Sequence, residues 1–546
     1  MATYFTQAQL SAELQATVSP SVQAAVERAL KSANLYPTLA KPLAADSAPT
    51  FDASGKLTET AGVNFVDING QAQGGVVLQT ASPAVIAISD LSASLQIFGT
   101  ASDTVIGGAG DDVLVGGGKS VIYGGNGNNV LFGGLSATAA DTLIGGSGSL
   151  GSSYGATGTN DISVQQGNNT LIGGSNSSAH DTLYGGSGSD SLTVTAGDNK
   201  LYAGSGASTL QGGTGNDTLT GFDGASHALM IAGSGNSMLN GGFAAAAHDT
   251  LVGGAGSDDI FVHSGNNVLI GGSSNGSSDS LYGGSGSDSL TVSAGNNLLV
   301  AGSGASTLTG GAGHDMMFGG GQSLLNAGSG GSTMNGGFSS TSHDTLNGGT
   351  GSDLLYVHAG NNVLTGGSTT GSSDTLYGGS GNDSLSVSAG NNFLYAGSGA
   401  NTLTGGTGND FLKGAATASH SLLQAGSGGS TLEGGFSSTA SDTLSGGTGN
   451  DDIFALSGNN TLISGGGNDT LSGGTGVDAL IVGASNNSVV SANGNGSTTT
   501  LDIKGYSASQ STITDHGSYS TLYLNSGTTS QTIQVSGIDT THIKFT

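Results

Sequence analysis

The chain of 546 residues contains no cysteine, so neither a disulfide nor a thiolate-bound metal is open to it. A fold exposed to an oxidising environment would need some other stabiliser. Basic residues are almost as scarce: 9 Lys and Arg stand against 37 Asp and Glu, a formal charge of −28 at pH 7. Nucleic acid, which is held through Lys and Arg, is therefore not an expected partner. No run approaches the ~18 apolar residues of a membrane-spanning helix, so membrane insertion is not expected either. Residues 1–30 lack a basic stretch followed by an apolar core, and no N-terminal secretory signal is read there. Proline occurs only five times and charged residues make up 8%. Such a chain is not disordered by its charge.

Glycine is what the chain has most of, with 104 residues and no G-X-Y period, which points to a loop-dense β architecture. Gly283 to Phe318 reads GGSGSDSLT, VSAGNNLLV, AGSGASTLT, GGAGHDMMF, four nine-residue units in tandem. Glycine permits the positive φ of tight turns, and the Asp, Asn or Ser at position 6 closes them through side-chain bonds to the backbone. The apolar residue at position 8, such as Leu290 or Leu299, starts a short inward-facing strand. One unit cannot bury that residue alone, so the units must stack.

Residues 1–45 differ from this pattern. Leu10, Leu14 and Val18 have helical spacing. Ser19-Pro20 reads as the start of a second helix carrying Val22, Val26 and Leu30, and Pro37 and Pro42 end the segment. Residues 46–98 turn to short β runs punctuated by Gly74 and Pro83, and read as an N-terminal β cap. Residues 99–490 form the repeat array. Its longer-period modules start near 133, 241, 336 and 434, and the first is lengthened by an insertion around Leu150. His248-Asp249-Thr250-Leu251 recurs as His343-Asp344-Thr345-Leu346 and as Ser441-Asp442-Thr443-Leu444. Residues 491–546 lose the nonapeptide and read as a C-terminal β cap.

The strict form GGxGxD occurs with its Asp at Asp112, Asp190, Asp217, Asp258, Asp288, Asp315, Asp353, Asp383, Asp410, Asp451 and Asp478. Tandem G-G-x-G-x-D-x-U-x repeats signal a Ca²⁺-binding parallel β-helix. In this respect the chain resembles the secreted RTX proteins of Gram-negative bacteria. The resemblance implies a right-handed parallel β-roll or β-solenoid, two nonapeptides to a coil. It implies Ca²⁺ between loops stacked on one edge, held by main-chain carbonyls and the position-6 side chains. It also implies export by the type I secretion machinery through an uncleaved C-terminal signal.

Same-edge loops are two units, or about 18 residues, apart and stack near the ~4.8 Å strand spacing. Facing carboxylates repel at that distance unless a cation lies between them, and oxygen donors suit Ca²⁺. Asp451 and Asp469 form the expected two-carboxylate pair, although the loop before Asp469 reads SGGGND. Elsewhere Asp faces Asn: Asn199 with Asp217, Asn297 with Asp315, Asn392 with Asp410, Asn460 with Asp478, and Asp112 with Asn129. Each mixed pair has lost one charge and is expected to bind more weakly. Loops such as Ala203–Gln211 offer only Ser, and stacked Asn can instead form a hydrogen-bonded ladder. The expectation is a partly calcium-independent roll whose true sites lie mainly toward Gly446–Asp478.

No enzyme is read in the sequence. HExxH is absent, and the G-x-S-x-G matches at Gly272–Gly276 and Gly151–Gly155 fall in loops, not in a strand-to-helix elbow. The GxGxxG match at Gly146–Gly151 is not followed by a helical pattern. The reading is a secreted, cell-surface or extracellular scaffold of surface-layer, filament or biofilm-matrix type. Its expected partners are calcium ions, further copies of itself and surface polysaccharide. The alternative is a monomeric calcium-binding secreted protein, and a glycan-active enzyme is the weakest of the three.

Overall fold

The computed structural model describes residues 159–546 apart from 175–176, 179, 223–226, 418–419, 484–486, 492–497 and 528–529. Before these it describes 3–17, 26–27, 30–31, 37, 43–46, 56–57, 65–67, 76–80, 85–87, 94–99, 103–107, 112–116, 120–124, 129–133 and 141–145. The Leu14 side chain, Val18, Ser19-Pro20, Val22, Pro42, Gly74, Pro83, Gly146–Gly151 and Gly151–Gly155 lie outside the described residues.

The architecture is a parallel β-solenoid, and its coils follow directly from the repeat. Most strands are three residues long, and in strands such as Thr218–Thr220 and Ser289–Thr291 only the middle residue is buried. Successive strands alternate between two parallel sheets, so each position-8 residue lies beside its counterpart one coil on. The chain forms two compact units, Met1–Ser285 and Gly286–Thr546. In the first, Leu171, Leu192, Leu210, Met230, Leu251 and Leu269 are in register along one sheet. Leu183, Leu201, Leu219, Leu239, Ile260 and Leu281 run along the other. In the second unit, Leu355, Leu376, Leu394, Leu412 and Leu432 repeat the pattern. All of these side chains are fully buried. Removing each from water is worth about 1.5–3 kcal/mol, and the thin core is the sum of such columns.

The stacking explains the glycine content. A Cβ on Gly188, whose φ is 130°, would overlap the carbonyl oxygen of Gly167 one coil below. No side chain fits at that turn without shifting the coil below.

Parallel coiling begins before the nonapeptides. Phe65 pairs with both Ala45 and Val85, and Val85 pairs with Thr104. Ahead of it, Thr3–Phe5 runs antiparallel to Leu43–Asp46. The helix Gln7–Thr17 starts at Thr6, whose backbone N–H donates to Gln9 Oε1 while the Gln9 N–H donates to Thr6 Oγ1. Leu10, Val26 and Leu30 are buried.

At the other end, Ser511–Asp515, Ser520–Asn525 and Ser530–Ser536 form an antiparallel meander. Its last strand returns to pair in parallel with Val489–Ser491, and Ile543–Phe545 pairs with Thr500–Ile503. One sheet thus continues into the antiparallel meander, and the other ends on the short strand Ile543–Phe545.

Candidate metal centre

The position-6 side chains are buried and form a ladder along each edge of the coil. In each case the side-chain oxygen accepts the backbone N–H of the position-6 residue one coil earlier. On one edge of the first unit, Asp181 N–H donates to Asn199 Oδ1 at 2.9 Å, Asn199 N–H to Asp217 Oδ1 at 2.9 Å, and Asp217 N–H to Ser237 Oγ at 3.0 Å. In the second unit Asp344 donates to Asn362 at 2.9 Å, Asn362 to Asp383 at 2.8 Å, and Asp383 to Asn401 at 2.7 Å. Asp, Asn, Ser and Thr all serve, because the rung needs only an acceptor oxygen. Asn adds a second bond: the Asn392 Nδ2 donates to Asp410 Oδ1 at 2.8 Å.

A second, exposed ladder runs in the opposite sense through position 5. The Asn216 N–H donates to Asp198 Oδ1, and the Asn236 N–H to Asn216 Oδ1, each acceptor belonging to the coil before. Asn409 N–H donates to Asn391 Oδ1 in the same way. Inner and outer ladders together satisfy the loop amides that the three-residue strands leave over.

The residues expected to face one another do so. Asn297 lies against Asp315, Asn460 against Asp478 and Asp112 against Asn129. Asp451 N–H donates to Asp469 Oδ1 at 2.9 Å, and Asp288 N–H to Ser306 Oγ at 3.0 Å. Two further carboxylate pairs escaped the sequence reading. Asp258 faces Asp279 at 2.9 Å and Asp353 faces Asp374 at 2.8 Å. Asp279 and Asp374 close long loops, GGSSNGSSD and GGSTTGSSD, so they are 21 residues from their partners and outside the strict motif. The recurring loop length before His248-Asp249 and His343-Asp344 was the available signal. The Asp249 and Asp344 carboxylates are rungs of the same kind, accepting from Ala228 and Ser323.

The second oxygen, Oδ2, separates the carboxylates. At Asp217, Asp315, Asp410 and Asp451 it accepts the N–H of the position-2 glycine in its own loop, at 2.8–3.1 Å. At Asp190, Asp258, Asp353, Asp383, Asp469 and Asp478 it is buried without a hydrogen-bond partner. Burial pushes the Asp190, Asp258, Asp383 and Asp469 carboxyls up to about 6. Asp353 rises to about 7, through burial and the neighbouring Asp374 charge. Asp478 is raised by burial as well. Unpartnered carboxylate oxygens beside main-chain carbonyls fit a hard cation of the Ca²⁺ type. Among the described residues no three His, Asp or Glu side chains converge, so carbonyls would have to complete any coordination shell.

Comparison with known families bears directly on that donor set. The RTX calcium-binding nonapeptide repeat matches residues 99–137, 154–225, 243–323, 338–412 and 436–497, more than half the chain. The chain belongs to the RTX calcium-binding repeat family. Ca²⁺ is accordingly the ion of this RTX protein, and the coil is the repeat's β-solenoid. No curated protein matches the chain. The unpartnered oxygens of the RTX coils are not confined to Gly446–Asp478, since Asp190 and Asp258 lie in the first unit. At Gly272–Gly276 the G-x-S-x-G stretch is one of the long RTX loops, and the Gly272 N–H donates to Asp279 Oδ2. No helix of the described residues is long and apolar enough to cross a membrane.

Proposed function

We propose that this RTX protein is secreted by a type I route and acts outside the cell as a non-enzymatic, calcium-stabilised scaffold of surface-layer, filament or matrix type. In this reading Ca²⁺ is held at position-6 Asp and Asn residues together with loop carbonyls. Ion binding then becomes folding energy, and the chain tightens where calcium is plentiful.

The observation that carries the reading is the repetitive outward face. Its positions hold Thr, Ser and Asn in register, as at Thr170, Ser191 and Thr209. Aromatic rings also stack along it, Tyr184 on Tyr202 at 4.7 Å and Tyr377 on Tyr395 at 4.8 Å. A surface that repeats with the coil suits a partner that also repeats, whether another copy or a polysaccharide, because weak contacts then add. Light scattering and electron microscopy with and without millimolar Ca²⁺ test this: assemblies should form only with the ion. A strict monomer in both conditions would point to the second reading, a soluble calcium-binding protein. The antiparallel meander that continues one sheet favours that alternative, because a further parallel coil could not stack on that sheet in register there.

A further inference from the structure

The GGxGxD motif treats its carboxylates alike, but the loops fall into two conformations. In the closed set, Asp217, Asp315, Asp410 and Asp451 use both oxygens. Their Oδ1 atoms receive an amide from the coil before, as Asp217 does from Asn199 and Asp451 from Ser430. Their Oδ2 atoms receive the amides of Gly213, Gly311, Gly406 and Gly447, none of which is left-handed. In the open set the position-2 glycine is left-handed every time. Its φ is 72° at Gly186, 108° at Gly254, 87° at Gly349, 74° at Gly379, 81° at Gly465 and 69° at Gly474. In these six-residue loops the left-handed amide does not reach the carboxylate, and Oδ2 of Asp190, Asp258, Asp353, Asp383, Asp469 or Asp478 is left buried without a hydrogen-bond partner. In the longer loop of Asp249 the left-handed Gly242 does reach Oδ2. Asp288 follows the same left-handed turn, with φ 69° at Gly284, and Asp112 is assigned to neither set.

Sequence does not separate the two. Asp410 closes GGTGND and Asp383 closes GGSGND, yet the first is capped and the second is not. Asp469 departs from the motif and still belongs to the open set. A buried carboxylate oxygen without a donor is costly, and a bound cation offsets the cost. A carboxylate already holding two amides gains much less from one.

We propose that the left-handed turn at the second glycine, and not the GGxGxD motif, selects the cation sites, so that open loops bind Ca²⁺ and closed loops are calcium-independent struts. The proposal rests on the calcium-dependent reading above and adds which loops carry it.

Two triple variants of the full chain decide it, with Ca²⁺ alone as the probe in equilibrium dialysis. One is Asp190→Ser, Asp383→Ser and Asp478→Ser in the open set; the other is Asp217→Ser, Asp315→Ser and Asp410→Ser in the closed set. Serine already fills this rung at Ser237 and Ser306, so the ladder acceptor is kept. The open-set triple should lose one ion per altered loop and melt at higher temperature in chelator, having shed three unpartnered carboxylates. The closed-set triple should bind as many ions as the parent chain and melt lower in chelator. Equal losses in the two triples, or a loss confined to the closed set, would overturn the proposal while leaving calcium dependence standing. A parent chain that binds no Ca²⁺ at millimolar concentration would overturn both. Should the closed-set triple not fold, the open-set triple decides alone: ions retained in full there would refute the assignment.

Discussion

The backbone N–H of Asp353 donates to Oδ1 of Asp374, 2.8 Å away, which sets two buried carboxyl groups one coil apart. Neither has a cationic side chain to offset it in an ion pair; the salt bridges of the described residues involve Glu27, Glu433 and Asp502. The calcium-free coil therefore holds charge it is poorly equipped to hold.

A pH dependence follows with a definite sign. Asp353 titrates near 7 in the folded chain, and Asp190, Asp258, Asp383 and Asp469 near 6, against an ordinary value of 3.8. The folded state thus holds protons that the unfolded state has released. The stability they contribute is fully present below pH 3.8 and is lost as pH rises through 6 and 7. In chelator the protein should melt at a clearly higher temperature at pH 5 than at pH 8, as followed by circular dichroism. Saturating Ca²⁺ should narrow the difference, and a flat profile in chelator would contradict the raised values.

Ala228 interrupts the inner ladder. It offers no oxygen to the coil before, and the Ser208 N–H turns to Gly206 O in its own loop at 3.1 Å. Ala228→Ser should restore the rung and stabilise the protein by about 0.5–1.5 kcal/mol in urea denaturation. No gain would mean that the local turn already satisfies Ser208 as well.

The two ladders should differ in their mutational cost. Asn392→Ala removes the acceptor for the buried Asp374 N–H and the donor to Asp410, so a loss of about 1–3 kcal/mol is expected. Asn409→Ala strips an exposed rung whose partner, the Gly429 N–H, can turn to water, and should cost less than ~1 kcal/mol. Chemical denaturation of the two variants side by side measures the gap.

The columns of leucine make a sharper contrast within one strand. Leu376→Ala should cost about 2–5 kcal/mol, because the side chain is fully buried between Leu355 and Leu394. Thr375→Ala, on the outward face, should change stability by under ~0.5 kcal/mol. Thermal melts of the calcium-loaded chain would show both.

Much of the site could be read from the residues because the period is so regular. Where two nonapeptides make a coil, counting 18 residues places Asn297 under Asp315 and Asp288 under Ser306, and the hydrogen bonds are there. Counting fails where a loop is longer: Asp258 meets Asp279 and Asp353 meets Asp374 across 21 residues. Those pairs carry the same ladder, but a nine-residue pattern has no place for them. Residues 46–98 read as a β cap, and their strands also pair in parallel, Phe65 with Val85 and Val76 with Leu95, although their spacing carries no nonapeptide period.

The sequence by itself determined the coil. Position-8 leucines can be buried only by stacking, and close stacking leaves room for little but glycine at the turns, so the repeat admits one architecture. It also determined that each rung would be an oxygen, whether from Asp, Asn, Ser or Thr. Only the tertiary structure decided what each carboxylate does with its second oxygen. That depends on whether a glycine such as Gly406 or Gly379 turns its amide toward the Asp, and near-identical motifs differ in this because the glycine backbone admits both conformations.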